Sequence, residues 1–138
     1  MIVLDTNVLS ELMRLQPSKS VISWLDNQAA SKLYITAITV AEILYGIARL
    51  AEGKRKSALF TAASDMFDQD FGGRILAFDS QAAVLYADLV SNCESSGRQV
   101  SMADAQIAAI CQLHEANIAT RNIKDFEPFN LNVINPWQ

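Results

Sequence analysis

"MIVLDTN", residues 1–7, is the stretch on which the fold turns. Ile2, Val3 and Leu4 make a short apolar run of the kind that parallel sheets bury on both faces. Asp5 ends that run with a charge, and "TNVLSELMRL" (6–15) continues with helical spacing of its apolar residues. A strand that passes directly into a helix opens a βαβ unit. Two roles fit Asp5 at this point: a cap on the following helix, or one corner of an acidic site.

Outward from that stretch, "SKSVISWLDNQ" (18–28) reads as a second helix beyond Pro17, and "LYIT" (33–36) as a strand. In "AITVAEILYGIARLAEG" (37–53), Val40, Ile43, Leu44, Ile47 and Leu50 recur at helical intervals, with Gly53 as the stop. Residues 54–68 repeat the pattern through Leu59, Ala62, Ala63, Met66 and Phe67. "GGRILAFD" (72–79) reads as a turn and a strand closed by Asp79. "SQAAVLYADLVSNCES" (80–95) follows as a helix, capped by Ser80 and ending near Gly97. "SMADAQIAAICQLHEA" (101–116) is a helix with Ser101 as its cap; "NIAT" (117–120) and "LNVIN" (131–135) are short strands. Strands alternating with helices predict an α/β fold with a mainly parallel sheet covered on both faces. In such sheets functional groups gather beyond the carboxyl ends of the strands. Asp5 stands at one such end and "TRNIKDF" (120–126) at another.

The 138 residues predict one domain, and a hydrophobic content of 51% with 19% charged residues excludes a disordered chain. No apolar run reaches the ~20 residues that cross a bilayer, and the amino terminus lacks the basic start of a signal peptide. A cytosolic protein is expected. Cys93 and Cys111 sit in helical segments without a CxxC pair and read as buried free thiols. The single histidine, His114, reads as a helix-end residue, which leaves neither a zinc site nor a Ser-His-Asp triad. A net charge of −4 argues against wrapping duplex nucleic acid but not against a small footprint served by a local patch and cations.

Three carboxylates stand out. Asp5 ends the first strand, Glu42 interrupts an apolar helix between Ala41 and Ile43, and Asp104 lies in the first turn of another apolar helix. Each has an ordinary reading: Asp104 complements the positive helix end, Glu42 faces solvent, Asp5 caps a helix. Taken together on three elements of one parallel domain, they read as a converging cluster that needs a cation to offset its repulsion. Oxygen ligands without His or Cys suit a hard ion, Mg²⁺ or Mn²⁺. Such an ion lowers the pKa of bound water and offsets charge on a phosphoryl oxygen, the chemistry of phosphodiester hydrolysis.

"MIVLDTNVLSEL", "ITVAEILYG", "SMADAQIAAI" and "ATRNIKDFE", in this order and at these separations, resemble the PIN domain of VapC-like toxin ribonucleases. "GGRILAFDSQAA" and the closing "NPWQ" resemble the FitB-like branch of that family. The resemblance runs the length of the chain. It implies a three-layer α/β/α sandwich over residues 1–138 and a Mg²⁺-dependent endoribonuclease, with Mn²⁺ as a substitute. Asp5 and Asp104 would be the metal ligands, and Glu42 a further ligand or the group that orients water. Thr6 would hold the Asp5 carboxylate. Relatives often carry an acidic residue after "TR"; here it is Asn122, and Asp125 is the candidate to supply the missing charge. Arg121 and Lys124 flank the same mouth as candidate phosphate contacts. The resemblance also implies a cognate antitoxin, a small DNA-binding protein that covers a groove between helices. Operator DNA would be met only through it, and a homodimer or larger toxin–antitoxin assembly is expected. The faces around Trp24, Leu25, Tyr45 and Leu50 are candidates for those contacts, in competition with core burial.

Other readings are weaker. "VLDTN" is similar to the strand end of haloacid-dehalogenase-type phosphatases, but these need a second aspartate where Asn7 stands. "EGKRKS" fails as a P-loop because Ala48 and Arg55 occupy its required positions. The alternative from another class is a non-catalytic PIN-like module that binds an antitoxin or RNA without hydrolysing it.

Overall fold

The computed structural model describes residues Met1–Gln138. The apolar run of the opening stretch becomes β1 (Ile2–Leu4), the central strand of a five-stranded sheet. Around it lie β2 (Leu33–Thr36), β3 (Ile75–Leu76), β4 (Asn117–Ala119) and β5 (Val133–Ile134), in the order β3-β2-β1-β4-β5. Every pairing is parallel, with Ile2 opposite both Leu33 and Asn117. All the carboxyl ends therefore share one edge. The chain leaves β1 toward β2 on one side and returns to it through β4 on the other, which makes that edge beside β1 the switch point where α/β sheets bind ligands.

Seven helices connect the strands: α1 (Thr6–Leu12), α2 (Lys19–Asp26), α3 (Ala37–Ala48), α4 (Lys54–Asp65), α5 (Ser80–Ser95), α6 (Met102–Leu113) and α7 (Ile123–Phe126). Successive strand residues face opposite layers. Leu4 enters a core with Val8, Leu9, Val21, Ile43, Ile47 and Phe67, while Val3 enters a second core with Ala105, Ile107, Cys111, Phe126 and Phe129. The two cores lie on the two faces of the sheet, as a three-layer α/β/α sandwich requires. α6 is buried at Ala105 and from Ile107 to Cys111, so its apolar residues surround the helix instead of forming a stripe. Cys93 and Cys111 are free, buried thiols.

Three details differ from the sequence reading. Gly53 does not stop α3, which ends at Ala48; it precedes α4 with φ +151°, a backbone shape that a side chain would strain. Asp79, not Ser80, caps α5, because its carboxylate accepts from the Ala82 N–H at 2.9 Å and draws Ser80 into the first turn. α4 runs on as a π-helical turn over Met66–Asp70, which seats Phe67 and Phe71 against the same core.

Candidate active site

Asp5 takes both of the roles left open by its sequence. Its backbone N–H continues the sheet by donating to Ala119 of β4, and its side chain caps α1 by accepting from the Thr6 N–H at 2.8 Å. The second carboxylate oxygen accepts from the Thr120 hydroxyl at 2.8 Å, with the Asn7 amide 3.4 Å away. Only 5% of Asp5 is exposed, and every one of these donors is neutral. Its pKa is raised to about 6, by burial first and by the charges of Asp104 and Glu42 in addition, against the pull of the Thr120 and Thr6 bonds.

Glu42 reaches the same place from α3. Its Oε1 accepts from the Thr6 hydroxyl at 2.7 Å, and that hydroxyl stands 3.0 Å from the Thr39 hydroxyl. Having given its one proton to Glu42, Thr6 is the acceptor toward Thr39. Thr39 is in turn held by Thr36, whose Oγ1 accepts from the Thr39 N–H at 3.1 Å and caps α3. Thr36 and Thr39 are both fully buried. The hydroxyl expected to hold Asp5 is thus engaged by Glu42, and Thr6 reaches the Asp5 carboxylate only through its backbone N–H.

Asp104 comes from the first turn of α6, whose Ser101 cap accepts from the Asp104 N–H at 3.1 Å. Burial raises its pKa despite the Ser101 side chain, with further contributions from Asp125 and Glu42. Asp5, Glu42 and Asp104 line one cleft of 460 Å³, and none of the three is paired with a cation side chain. No group of three Asp, Glu, His or Cys side chains stands close enough to hold one ion by itself. The arrangement still fits a hard divalent cation: Mg²⁺ keeps several waters and is held through one or two carboxylates, not a full protein cage. Buried Asp5 and half-buried Asp104, both raised in pKa by desolvation first and by neighbouring carboxylates second, are the observation that asks for such an ion. Cys111 lies near enough to feel Asp5, but burial and that charge push its thiol up to about 12, so it is no nucleophile.

Of the remaining candidates, Asn122 and Arg121 line the cleft, while Asp125 and Lys124 do not. Asp125 is exposed on α7 and meets Asp104 only through its field. Sequence reasoning missed Thr120, Asn7, Glu11 and Arg14. Thr120, fully buried, donates to Asp5 and accepts from the Asn7 amide at 3.2 Å and the Asn122 N–H at 3.1 Å. Its signal was available in "NIAT", where a polar residue ends a buried strand as Asp5 does. Trp24 and Leu25, read as possible contact residues, pack against the core, whereas Tyr45 is exposed beneath the Arg49 guanidinium.

The PIN domain family model matches residues 2–127. The chain is 41% identical over 138 residues to the VapC ribonuclease Y4jK of Sinorhizobium fredii, covering 100% of this chain and 99% of that one. It is 41% identical over 137 residues to the toxin FitB of Neisseria gonorrhoeae, covering 99% of each. The solved structure of FitAB bound to an IR36 DNA fragment superposes with a TM-score of 0.93 at 40% identity, covering 100% of this chain and 96% of that one.

Proposed function

The chain belongs to the PIN-domain family, and on that premise we propose that it is a Mg²⁺-dependent endoribonuclease, the toxin of a toxin–antitoxin pair. The observation that carries the reading is the cleft itself: Asp5, Glu42 and Asp104 line it at the carboxyl edge of the sheet, and none of the three is ion-paired. Its similarity along the full chain to a VapC ribonuclease and to a toxin supports the substrate class.

Asp5 and Asp104 would hold the ion, and when bound it supplies an activated water and Lewis acidity toward a phosphoryl oxygen. The chain's own residues do the rest. Thr120, Asn7 and the Thr6 N–H fix the Asp5 carboxylate, and the Ser101 cap fixes the start of α6 beneath Asp104. Glu42, one oxygen engaged by Thr6, uses the other to orient the attacking water and take its proton. Asn122 contributes a neutral amide to the cleft, while Asp125 adds negative charge behind Asp104. Arg121 faces a substrate phosphate, and Lys124 provides a more distant positive charge.

An antitoxin fits the neighbouring groove of 950 Å³ between the end of α1 and α4, where Met13, Leu15, Ala58, Leu59 and Ala62 present apolar surface. Leu15 is fully exposed there, and Ser10 and Arg14 line both groove and cleft, so one bound segment would block the carboxylates as well. Operator DNA would be reached through that partner.

The test is cleavage of RNA by the purified protein. Cleavage should require Mg²⁺ or Mn²⁺, stop in EDTA and fall by on the order of 10³-fold in Asp104→Asn. Cleavage that persists in EDTA overturns the metal role; RNA binding without cleavage in Mg²⁺ identifies a non-catalytic binding module instead.

A further inference from the structure

The carboxyl-terminal tail outlasts its strand. β5 ends at Ile134, and the following residues form a tight turn: Asn135 accepts from the Trp137 N–H through its side chain at 2.9 Å, and from the Gln138 N–H through its backbone at 3.2 Å. Pro136 between them is buried. Trp137 is partly buried against the core that also takes Ile134, and it is the single hydrophobic residue lining the carboxylate cleft. The guanidinium carbon of Arg121 sits 5.2 Å from the centre of the Trp137 ring.

Arg121 itself is exposed and shares the cleft with Asp5, Glu42 and Asp104. A long, free cation beside three carboxylates would be expected to fold onto them, yet Arg121 makes no ion pair. Its backbone is anchored near Asn7, whose Oδ1 accepts from the Arg121 N–H at 3.4 Å, and its head group is anchored on the indole. A stacked guanidinium keeps its N–H donors available for a planar or tetrahedral anion.

We propose that Trp137 is a positioning residue that holds the Arg121 guanidinium on the wall of the cleft, away from the carboxylates, to bind an RNA phosphate beside the scissile bond. The proposal rests on the ribonuclease reading and adds the carboxyl-terminal tail to its substrate site. Packing alone would need only an apolar residue at 137, so Trp137→Leu and Trp137→Phe separate packing from stacking.

The measurement is steady-state cleavage of a single-stranded RNA in Mg²⁺, with RNA binding followed against salt in the Asp104→Asn background. Trp137→Leu should raise KM about 2- to 5-fold at unchanged kcat, the worth of an exposed cation–π contact. Arg121→Ala should raise KM by about tenfold or more and flatten the slope of log K against log salt by roughly 0.7, one single-strand phosphate contact. The double variant should be no worse than Arg121→Ala, and Trp137→Phe, a weaker aromatic platform, should fall between the wild type and Trp137→Leu. Trp137→Leu at wild-type KM, losses that add in the double variant, or a fall in kcat that follows the melting temperature would each overturn the proposal. Wild-type protein that cleaves no RNA would overturn the ribonuclease reading; cleavage indifferent to both Trp137→Leu and Arg121→Ala would overturn this inference alone.

Discussion

Asp5 and Glu11 are buried carboxylates one helix apart, 5% and 6% exposed, and they line the same cleft. Glu11 meets a cation and a backbone donor: Arg14 lies 3.3 Å from Oε1, and the Ser18 N–H donates to Oε2 at 2.8 Å. It thereby ties the end of α1 to the start of α2 across Pro17, and its charge is compensated locally. Asp5 meets only neutral donors and, further off, two more carboxylates. Depth of burial is the same in the two places, so depth alone does not separate a structural carboxylate from a functional one. The compensation does: Glu11 stabilises a turn, whereas Asp5 holds a charge that the fold alone leaves costly.

Replacing the two carboxylates by their amides should therefore act in opposite ways, and a set of variants grades the contrast. The largest effect belongs to the cleft's chemistry: Asp5→Asn or Asp104→Asn should lower RNA cleavage by on the order of 10³-fold, read from initial rates with the circular dichroism spectrum unchanged. Next comes the stability of metal-free protein. Because the folded-state pKa of Asp5 is raised to about 6 above its ordinary 3.8, folding favours the protonated form. That contribution is complete below about pH 4 and lost as pH rises through about 6, an order-of-magnitude loss of about 3 kcal/mol. Asp5→Asn should recover much of it at pH 7, and denaturant titration in EDTA measures the gain. Cleavage should fall as pH drops below about 6, because protons then compete with the cation for Asp5.

Third, Thr6→Val should lower kcat by about 10–100-fold by releasing Glu42, without abolishing ion binding at Asp5 and Asp104. Equal losses in kcat and in Mn²⁺ affinity would contradict that division of labour. Fourth, Glu11→Gln should cost about 1 kcal/mol and leave cleavage largely intact, the reverse of Asp5→Asn in both readouts. Smallest is the fourth position: Asn122→Ala should reduce cleavage a few-fold and Asp125→Ala less, since Asn122 lines the cleft and Asp125 does not. The opposite order would show that charge behind Asp104 outweighs an amide in the cleft.

The parallel sheet was legible because short apolar strands alternate with helices along the chain, and such crossovers bring the strands into parallel pairing. Asp5, Glu42 and Asp104 were legible because each interrupts an apolar run with a charge. Thr120 and Trp137 were not, because their partners are fixed by tertiary closure: β4 against β1, and a tail folded back beside Arg121. Short-range signals failed where two neighbours compete for one role. Asp79 and Ser80 both suit a helix cap, and only the Ala82 hydrogen bond separates them. Gly53 suits either a helix stop or a strained helix start, and its φ decides.

The contrast between Asp5 and Glu11 comes to a point in thermal melting of wild type, Asp5→Asn and Glu11→Gln at pH 7.5, each in EDTA and in Mg²⁺ or Mn²⁺. In EDTA, Asp5→Asn should melt above wild type and Glu11→Gln below it; added metal should raise wild type and Glu11→Gln but not Asp5→Asn. A metal response in Asp5→Asn equal to that of wild type, or an Asp5→Asn protein less stable than wild type in EDTA, would contradict a cation site built on an uncompensated Asp5.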